Sequence, residues 1–275
     1  MKILNNQFNN LNEVLDKYKY DYQNAYPFPS IYIDDFINPV LLDKVLEEFP
    51  DLDKKDIYYN DPTAKKHASS GDGRFGPYTK MLIEYLNSEE FINFLNHLTG
   101  IKEKLIADPY FEGGGFHEIK KGGFLKVHVD FHFHKIMKLD RRLNLLIYLN
   151  KEWKEEYGGH FELWEKDMSK CTAKILPIFN RMCLFSTTSN SWHGHPEPLN
   201  CHEYQSRKSL AIYYYSDGRP DHELTRSQRN RITTTFVARK GKDSINLILY
   251  NFMFNLANRL LPKAVINYIK NSKLF

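Results

Sequence analysis

The sequence predicts an α+β protein with a mainly β core, a jelly roll or barrel carrying supporting N-terminal helices and a C-terminal helical extension. Three observations predict it. From about 105 to 216, short runs rich in β-branched, aromatic and leucine residues alternate with glycine pairs and Asn-containing turns, the patterning of strands and turns. The segments before them carry helix start and stop signals. After Tyr215 the chain becomes basic and then ends in an apolar stretch with helical spacing. Many short strands behind a helical lead-in pack as a double sheet, with the helices on one outer face.

Taken in order, residues 1–26 form a polar, Asn-rich segment with weak helical periodicity. "FPSIYIDDFI" (28–37) reads as a strand. In "NPVLLDKVLEEF", Asn38 is an N-cap and Pro39 occupies the first helical position, where its missing N–H costs nothing. The stretch 53–76 is polar and turn-rich and is expected to be a long surface loop. "NSEEFINFLNHLTG" (87–100) has a cap, acidic residues in its first turn, apolar residues at helical spacing and a closing Gly100, so it reads as a helix. The strand-rich stretch contains "GGFLKVHVDFHF", "RLNLLIYLN", "GGHFELWE", "KILPIF", "RMCLFST" and "SLAIYYYS". The glycines at 113–115 lack dinucleotide-binding spacing and read as a strand or loop feature. The expected organisation is a segment 1–26, a domain over 27–216, and an extension over 217–275 whose last part, 244–271, is a helix broken at Pro262.

Composition narrows the classes. A chain of 275 residues that is 42 % hydrophobic can bury a sizeable core. A net charge of +4 does not point to nucleic acid. The three cysteines form no C-x-x-C pair, and an odd count suits a reduced compartment; Cys183, in "MCLF", reads as core. The N-terminus has no apolar run of signal-peptide type, so a cytoplasmic location is expected. The apolar stretch 245–261 is interrupted by Asn246, Asn251, Asn255 and Asn258, which makes it an amphipathic helix rather than a membrane span. Such a helix packs on the body, on a second copy or on a surface. The basic run 217–242 hints at an acidic or phosphorylated partner, although charge runs are more often simply solvated.

The chemistry is concentrated around "KVHVDFHFH" (126–134). On a strand, His128, Asp130, His132 and His134 share one face. Alone, this is as compatible with an exposed polar face as with a metal site. A distant histidine changes the balance: "STTSNSWHGHPEPL" (186–199) presents His193 just after an apolar strand, with His195 as an alternative two residues on. A His-x-Asp pair plus one remote histidine is the donor set that holds Fe(II) on one face and leaves coordination positions open. Four to six residues along a strand is ~13–20 Å, so His132 and His134 are expected at the substrate rim or in solvent rather than on the same metal. Arg207, fourteen residues after His193 at the start of "RKSLAIYYY", can pair with a carboxylate at two points. His160 is expected in a structural or rim position.

The segments "HVD", "RRLNLLIYLNKEWKEEYGGHFELW", "ILPIFNRMCLFSTTSNSWHGHPEPL" and "RKSLAIYYY", in that order, resemble the Fe(II)/2-oxoglutarate-dependent dioxygenases of the prolyl 4-hydroxylase-like group. The likeness covers roughly 105–216 and extends loosely back to about 27. It implies a double-stranded β-helix, a jelly-roll form, and oxidative decarboxylation of 2-oxoglutarate coupled to hydroxylation by O2. It implies His128, Asp130 and His193 as Fe(II) ligands and Arg207 as partner of the distal carboxylate of 2-oxoglutarate, with Tyr148 beside it and Ser209 in the same pocket. Asn144 shares parity with Tyr148 and is a further pocket candidate. The departure is "FHEIKKGG", where the family often has a tyrosine; His117 is the candidate replacement for the inner end of the cosubstrate. A prolyl residue, a free amino acid, a sugar or a lipid-linked small molecule all fit these motifs as substrate. Two rivals remain on the same fold: a cupin-type metal enzyme using His132 or His134, and a non-catalytic binding module.

Overall fold

The protein is described from a computed structural model over residues 1–52, 56–69, 71–226 and 228–260, with side chains in the last stretch to residue 253. Four helices precede the strand-rich body: α1 (Leu11–Gln23), α2 (Pro39–Glu47), α3 (Pro77–Leu86) and α4 (Glu89–Thr99). Asn38 accepts from the Val40 N–H at the start of α2, and Ser88 accepts from the Phe91 N–H at the start of α4. Gly100 ends α4 in the left-handed region, φ +75°. Helix α3 has no expectation from the sequence reading. Its own cap residue, Gly76, has no side chain, so Glu48 at the end of α2 caps it instead, accepting from the Tyr78 and Thr79 N–H groups at 2.9 and 2.8 Å.

Thirteen strands are found among the described residues: β1 (Ser30–Ile33), β2 (Ile57–Asp61), β3 (Ala64–Ala68), β4 (Ile106–Ala107), β5 (Gly115–Lys120), β6 (Phe124–Val129), β7 (Asp140–Tyr148), β8 (Phe161–Trp164), β9 (Cys171–Ile175), β10 (Met182–Ser186), β11 (His193–His195), β12 (Ser206–Ser216) and β13 (Thr235–Phe236). All their ladders are antiparallel. One side runs β1-β10-β7-β12-β5, the other β6-β11-β8-β9. Strand β3 joins them, pairing β5 through His67 and Ala68 and β6 through Ala64 and Lys65. The result is the nearly closed barrel of a double-stranded β-helix.

Strand alternation sorts the two faces. Leu143, Leu145 and Ile147 of β7, Met182 and Leu184 of β10, and Leu210, Ile212 and Tyr214 of β12 join the helices in one large apolar core. Their alternates, Asn144, Leu146, Phe185, Arg207, Ser209 and Tyr213, line a cavity inside the barrel. Helix α1 is tied to the sheet by the Tyr22 hydroxyl, 2.8 Å from Ser186 Oγ. Cys183 is buried in an inner cluster with Phe185 and Tyr148.

Two expectations are corrected. The stretch 53–76 is not a plain surface loop: "IYYND" and "AKKHA" pair as the β2–β3 hairpin. The aromatic and β-branched residues favour pairing, and Asp61 Oδ1 closes the turn by accepting from the Thr63 and Ala64 N–H groups. The basic run after Tyr215 is not merely solvated. Arg219 donates to Glu223, Arg141 O and Thr187 O, and Arg239 pairs with Glu197 and Asp243, so the fold itself neutralises these charges. Within that run, β13 pairs with β6, Phe236 opposite His128. Helix α5 (Ile245–Leu260) begins as expected; the part of that expectation beyond 260, with the break at Pro262, lies outside the described residues.

Candidate active site

Strands β6 and β11 bring two histidines side by side: His193 stands opposite His128 in the ladder. This close pairing requires Gly194. A Cβ there would lie 2.9 Å from the carbonyl oxygens of Leu125 and Lys126. Asp130 follows the end of β6. The ligand atoms of His128, Asp130 and His193 all lie within 4.8 Å of one another. His128 Nε2 is 3.5 Å from Asp130 Oδ1, and His193 Nε2 is 3.4 Å from Asp130 Oδ2.

The hydrogen bonds set the tautomers. His128 Nδ1 donates to Lys126 O and His193 Nδ1 to Ser191 O, both at 2.8 Å. A carbonyl only accepts, so each ring carries a proton on Nδ1 and turns Nε2 toward the carboxylate. Burial, reinforced by the neighbouring His128, pushes His193 down to about 3, so it stays neutral. Two imidazole Nε2 atoms and a carboxylate converging in this way fit a divalent transition metal with open coordination positions.

Asp130 is itself held. Asn144 Nδ2 donates to its Oδ2 at 2.6 Å, and Arg141 Nε donates to Asn144 Oδ1 at 2.8 Å. The Arg141 guanidinium lies 3.3 Å from the same Oδ2 and stacks over the rings of Tyr213 and Phe131. Burial would raise the Asp130 carboxyl, but the Arg141 guanidinium beside it outweighs that and holds it well below the usual carboxylate range.

Arg207 projects from β12 into the same cavity and is 4 % exposed. Its Nε donates to Gly159 O at 2.8 Å and its Nη2 to the Tyr148 hydroxyl at 3.1 Å. Gly159, at φ +73°, makes room: a Cβ there would come within 3.0 Å of Arg207 Cδ. Arg207 has no carboxylate partner among the described residues, so a guanidinium is fixed in the cavity with its counter-charge yet to be supplied. That fits a dicarboxylate cosubstrate.

The expected residues divide as follows. His128, Asp130, His193, Asn144, Arg207, Ser209 and His117 all line the one cavity. Tyr148 stands behind Arg207, fully buried. His195 also lines the cavity, but the metal-sized cluster forms with His193. His160 sits apart, bonded to Glu155 Oε1 at 2.8 Å. The rim or solvent expectation for His132 and His134 is corrected, because both are fully buried. Strand β6 ends at Val129, and the chain turns inward: His132 N–H donates to Arg231 O, while His134 Nδ1 accepts from the Ile136 and Met137 N–H groups.

Two cations at the site, Lys66 on its wall and Arg141 behind Asp130, have no counterpart among the expected residues. Lys66 of β3 lines the cavity; its signal was the alternation Ala64-Lys66-Ala68, two small buried residues flanking a lysine on the inner face. Arg141 had no signal. A register shift between Tyr214 and Tyr215 of β12 leaves Arg142 unopposed and turns Arg141 to the same side as Asn144.

Residues 114–236 match the sequence profile of the 2OG-Fe(II) oxygenase superfamily. That segment includes His128, Asp130, His193 and Arg207. The oxygenase is a 2-oxoglutarate-dependent dioxygenase, with Fe(II), 2-oxoglutarate and O2 as its cofactor set. Its fold is similar to that of a prolyl 4-hydroxylase from Pseudomonas putida, with 14 % identity, 74 % of this chain and 100 % of the other covered, and a TM-score of 0.55. A prolyl hydroxylase from Trichoplax adhaerens gives 18 % identity, coverage of 76 % and 92 %, and a TM-score of 0.54. HygX from Streptomyces hygroscopicus, solved with nickel and 2-oxoglutarate bound, gives 14 % identity, coverage of 82 % and 96 %, and a TM-score of 0.50. At these identities the likeness is one of fold. No curated protein matches the oxygenase in sequence.

Proposed function

We propose that His128, Asp130 and His193 hold Fe(II), that Arg207 with Tyr148 takes the distal carboxylate of 2-oxoglutarate, and that the enzyme hydroxylates an unactivated C–H bond. The observation that carries this reading is the single cavity lined by both the metal-sized cluster and an arginine without a carboxylate partner. With iron and cosubstrate bound, 2-oxoglutarate is decarboxylated to succinate and CO2 while one oxygen atom of O2 enters the substrate C–H bond. The protein aims both imidazoles through their Nδ1–H bonds, holds Asp130 ionised through Arg141 and Asn144, and orients the cosubstrate by its distal end. Ser209 and His117 complete the pocket walls.

Anaerobic addition of Fe(II) and 2-oxoglutarate tests the reading. A weak visible charge-transfer band is expected, and Asp130→Ala abolishes it. Folded protein without the band would overturn the assignment.

For substrate, we propose a prolyl residue of a peptide, on the likeness of the H-x-D, "YLN…W…GG" and R-x-S segments. Succinate release across a panel of proline-containing peptides, amino acids, sugars and lipid-linked compounds, with Arg207→Ala as the blank, tests it; turnover with a non-prolyl member alone would overturn it. The dioxygenase domain is assigned to 27–216, flanked by 1–26 and 217–275. A cytoplasmic location is supported by three free cysteines; among the described residues no helix is long and apolar enough to cross a membrane. A surface contact or self-association is assigned to α5, whose Ile245, Ile248, Leu249, Phe252 and Met253 are exposed, with sedimentation as its test.

A further inference from the structure

Helix α5 presents its apolar side to solvent. Leu247 is 1 % exposed, and Asn251 Nδ2 donates to Phe236 O of β13, so this side of the helix packs on the body. The opposite side carries Ile245, Ile248, Leu249 and Phe252, spaced i, i+3, i+4 and i+7. All four are 49–65 % exposed. A surface helix ordinarily buries its apolar stripe and wets its polar one. A contiguous apolar stripe turned outward marks an interaction site.

The charges around the stripe have one sign. After Asp243 the chain contains no further Asp or Glu, but it contains Arg259, Lys263, Lys270 and Lys273. Just before the helix, Lys240 and Lys242 are exposed. The carboxylates at this junction are already taken: Asp243 pairs with Arg239 and Lys126, and Glu197 pairs with Arg239.

Charge chooses among the occupants that an apolar stripe could take. A second copy of the chain would bring two such basic segments together, with no acids from 244 onward to meet them. The chain's own last residues add cations and no counter-charge. An anionic bilayer meets both features at once, because acyl chains take the stripe and headgroups take the cations. The stripe covers one side only, and Asn246 and Asn251 interrupt the sequence, so the helix lies in the interface and does not span.

We propose that α5 docks the enzyme on an anionic lipid surface, with Ile245, Ile248, Leu249 and Phe252 in the acyl boundary and Lys240 and Lys242 at the headgroups. The inference rests on the contact assigned to α5 above and narrows it to one partner. The helix is fastened to the body: Asn251 bonds β13, β13 pairs with β6, and β6 carries His128. Docking therefore holds the metal-binding barrel itself at the bilayer.

The test is co-sedimentation of the full chain with vesicles of equal parts phosphatidylcholine and phosphatidylserine, and with vesicles of phosphatidylcholine alone. Binding to the anionic vesicles is expected, weakening as salt rises, with partition to neutral vesicles about tenfold lower. Ile248→Ser combined with Phe252→Ser is expected to lower anionic-vesicle partition by at least ~10-fold. Lys240→Gln combined with Lys242→Gln is expected to lower it several-fold and to flatten the salt dependence. Fluorescence of Phe252→Trp should shift to shorter wavelength only when anionic vesicles are added. Absence of binding to the anionic vesicles overturns the proposal. So does binding that the serine variant leaves unchanged, which would be electrostatic adsorption alone. A dimer in sedimentation equilibrium without lipid, made monomeric by the serine variant, would assign the stripe to a second copy: the contact role of α5 would stand and the lipid partner would fall. Short-wavelength emission of Phe252→Trp without lipid or dimer would show the stripe covered by the chain itself and overturn both. The substituted side chains are exposed, so thermal midpoints equal to wild type verify that the fold is intact.

Discussion

Asn144 Nδ2 donates to Asp130 Oδ2 across 2.6 Å, and the acceptor is one of the two oxygens offered to the metal cluster. The donor is held in turn by Arg141, so the carboxylate is aimed by a chain of buried side chains. Carboxylate ligands depend on such outer partners nearly as much as metals depend on the ligands.

Asn144→Leu keeps the volume and removes the donor. Metal affinity is expected to fall roughly 10–100-fold. Anaerobic Mn(II) titration measures it, and the same variant should still pair β7 with β10 and β12, because backbone groups make those ladders. Unchanged affinity would mean that Asp130 needs no outside support.

Arg207 and Tyr148 should separate in magnitude. Arg207→Met removes a buried charge that faces the cosubstrate, and KM for 2-oxoglutarate is expected to rise by about 100-fold. Tyr148→Phe removes only the hydroxyl that accepts from Arg207 Nη2 and is expected to cost a few-fold, on the order of 1 kcal/mol. Steady-state kinetics with 2-oxoglutarate varied distinguishes them; equal effects would show that the hydroxyl touches cosubstrate directly.

Cosubstrate affinity should depend on pH through Lys66. Burial lowers its ammonium to about 8, with Arg207 and Arg141 adding to the fall and Asp130 opposing it. The groups facing it from β5 and β11, His117 and His195, are held well below the usual histidine range by burial and stay neutral throughout. Tyr213 on β12 is pushed up to about 12 by burial. The sign follows from the charge form: protonated Lys66 attracts the dianion and neutral Lys66 does not. Affinity is therefore flat below about pH 7 and declines above about pH 8, by up to tenfold per unit. Calorimetry across that range should show the decline in wild type and its loss in Lys66→Met.

The strand-rich stretch, the helix start at Asn38 and the gathering of His128, Asp130 and His193 with Arg207 around one cavity were legible because each rests on local pattern: alternation, a capping residue or a short motif. Lys66 was not found because "AKKHA" is too short and too polar to stand out as a strand until its partners on β5 and β6 are known. His132 and His134 were misplaced for the opposite reason. Their alternation continued the strand pattern past Val129, whereas Arg231 O takes the N–H groups of His132 and Phe133 and draws the chain off the sheet. Glu48 capping a helix thirty residues away is a tertiary event with no local signature.

Gly194 lies between the two histidines of β11 and contributes nothing but the absence of a side chain. Its Cα faces β6 so closely that a methyl group would meet two carbonyl oxygens at 2.9 Å, and backbone cannot yield as a flexible side chain can. Gly194→Ala must push β11 away from β6 and open the ladder pair His193–His128. Stability without metal is expected to drop by about 1–3 kcal/mol. The larger effect falls on the site, because the two Nε2 atoms separate and the metal cluster no longer closes. Thermal unfolding with and without Mn(II) measures both: the midpoint falls, and the upward shift that Mn(II) gives to wild type is lost. A variant that keeps the full Mn(II) shift would show that β11 can move as a unit while keeping His193 in place.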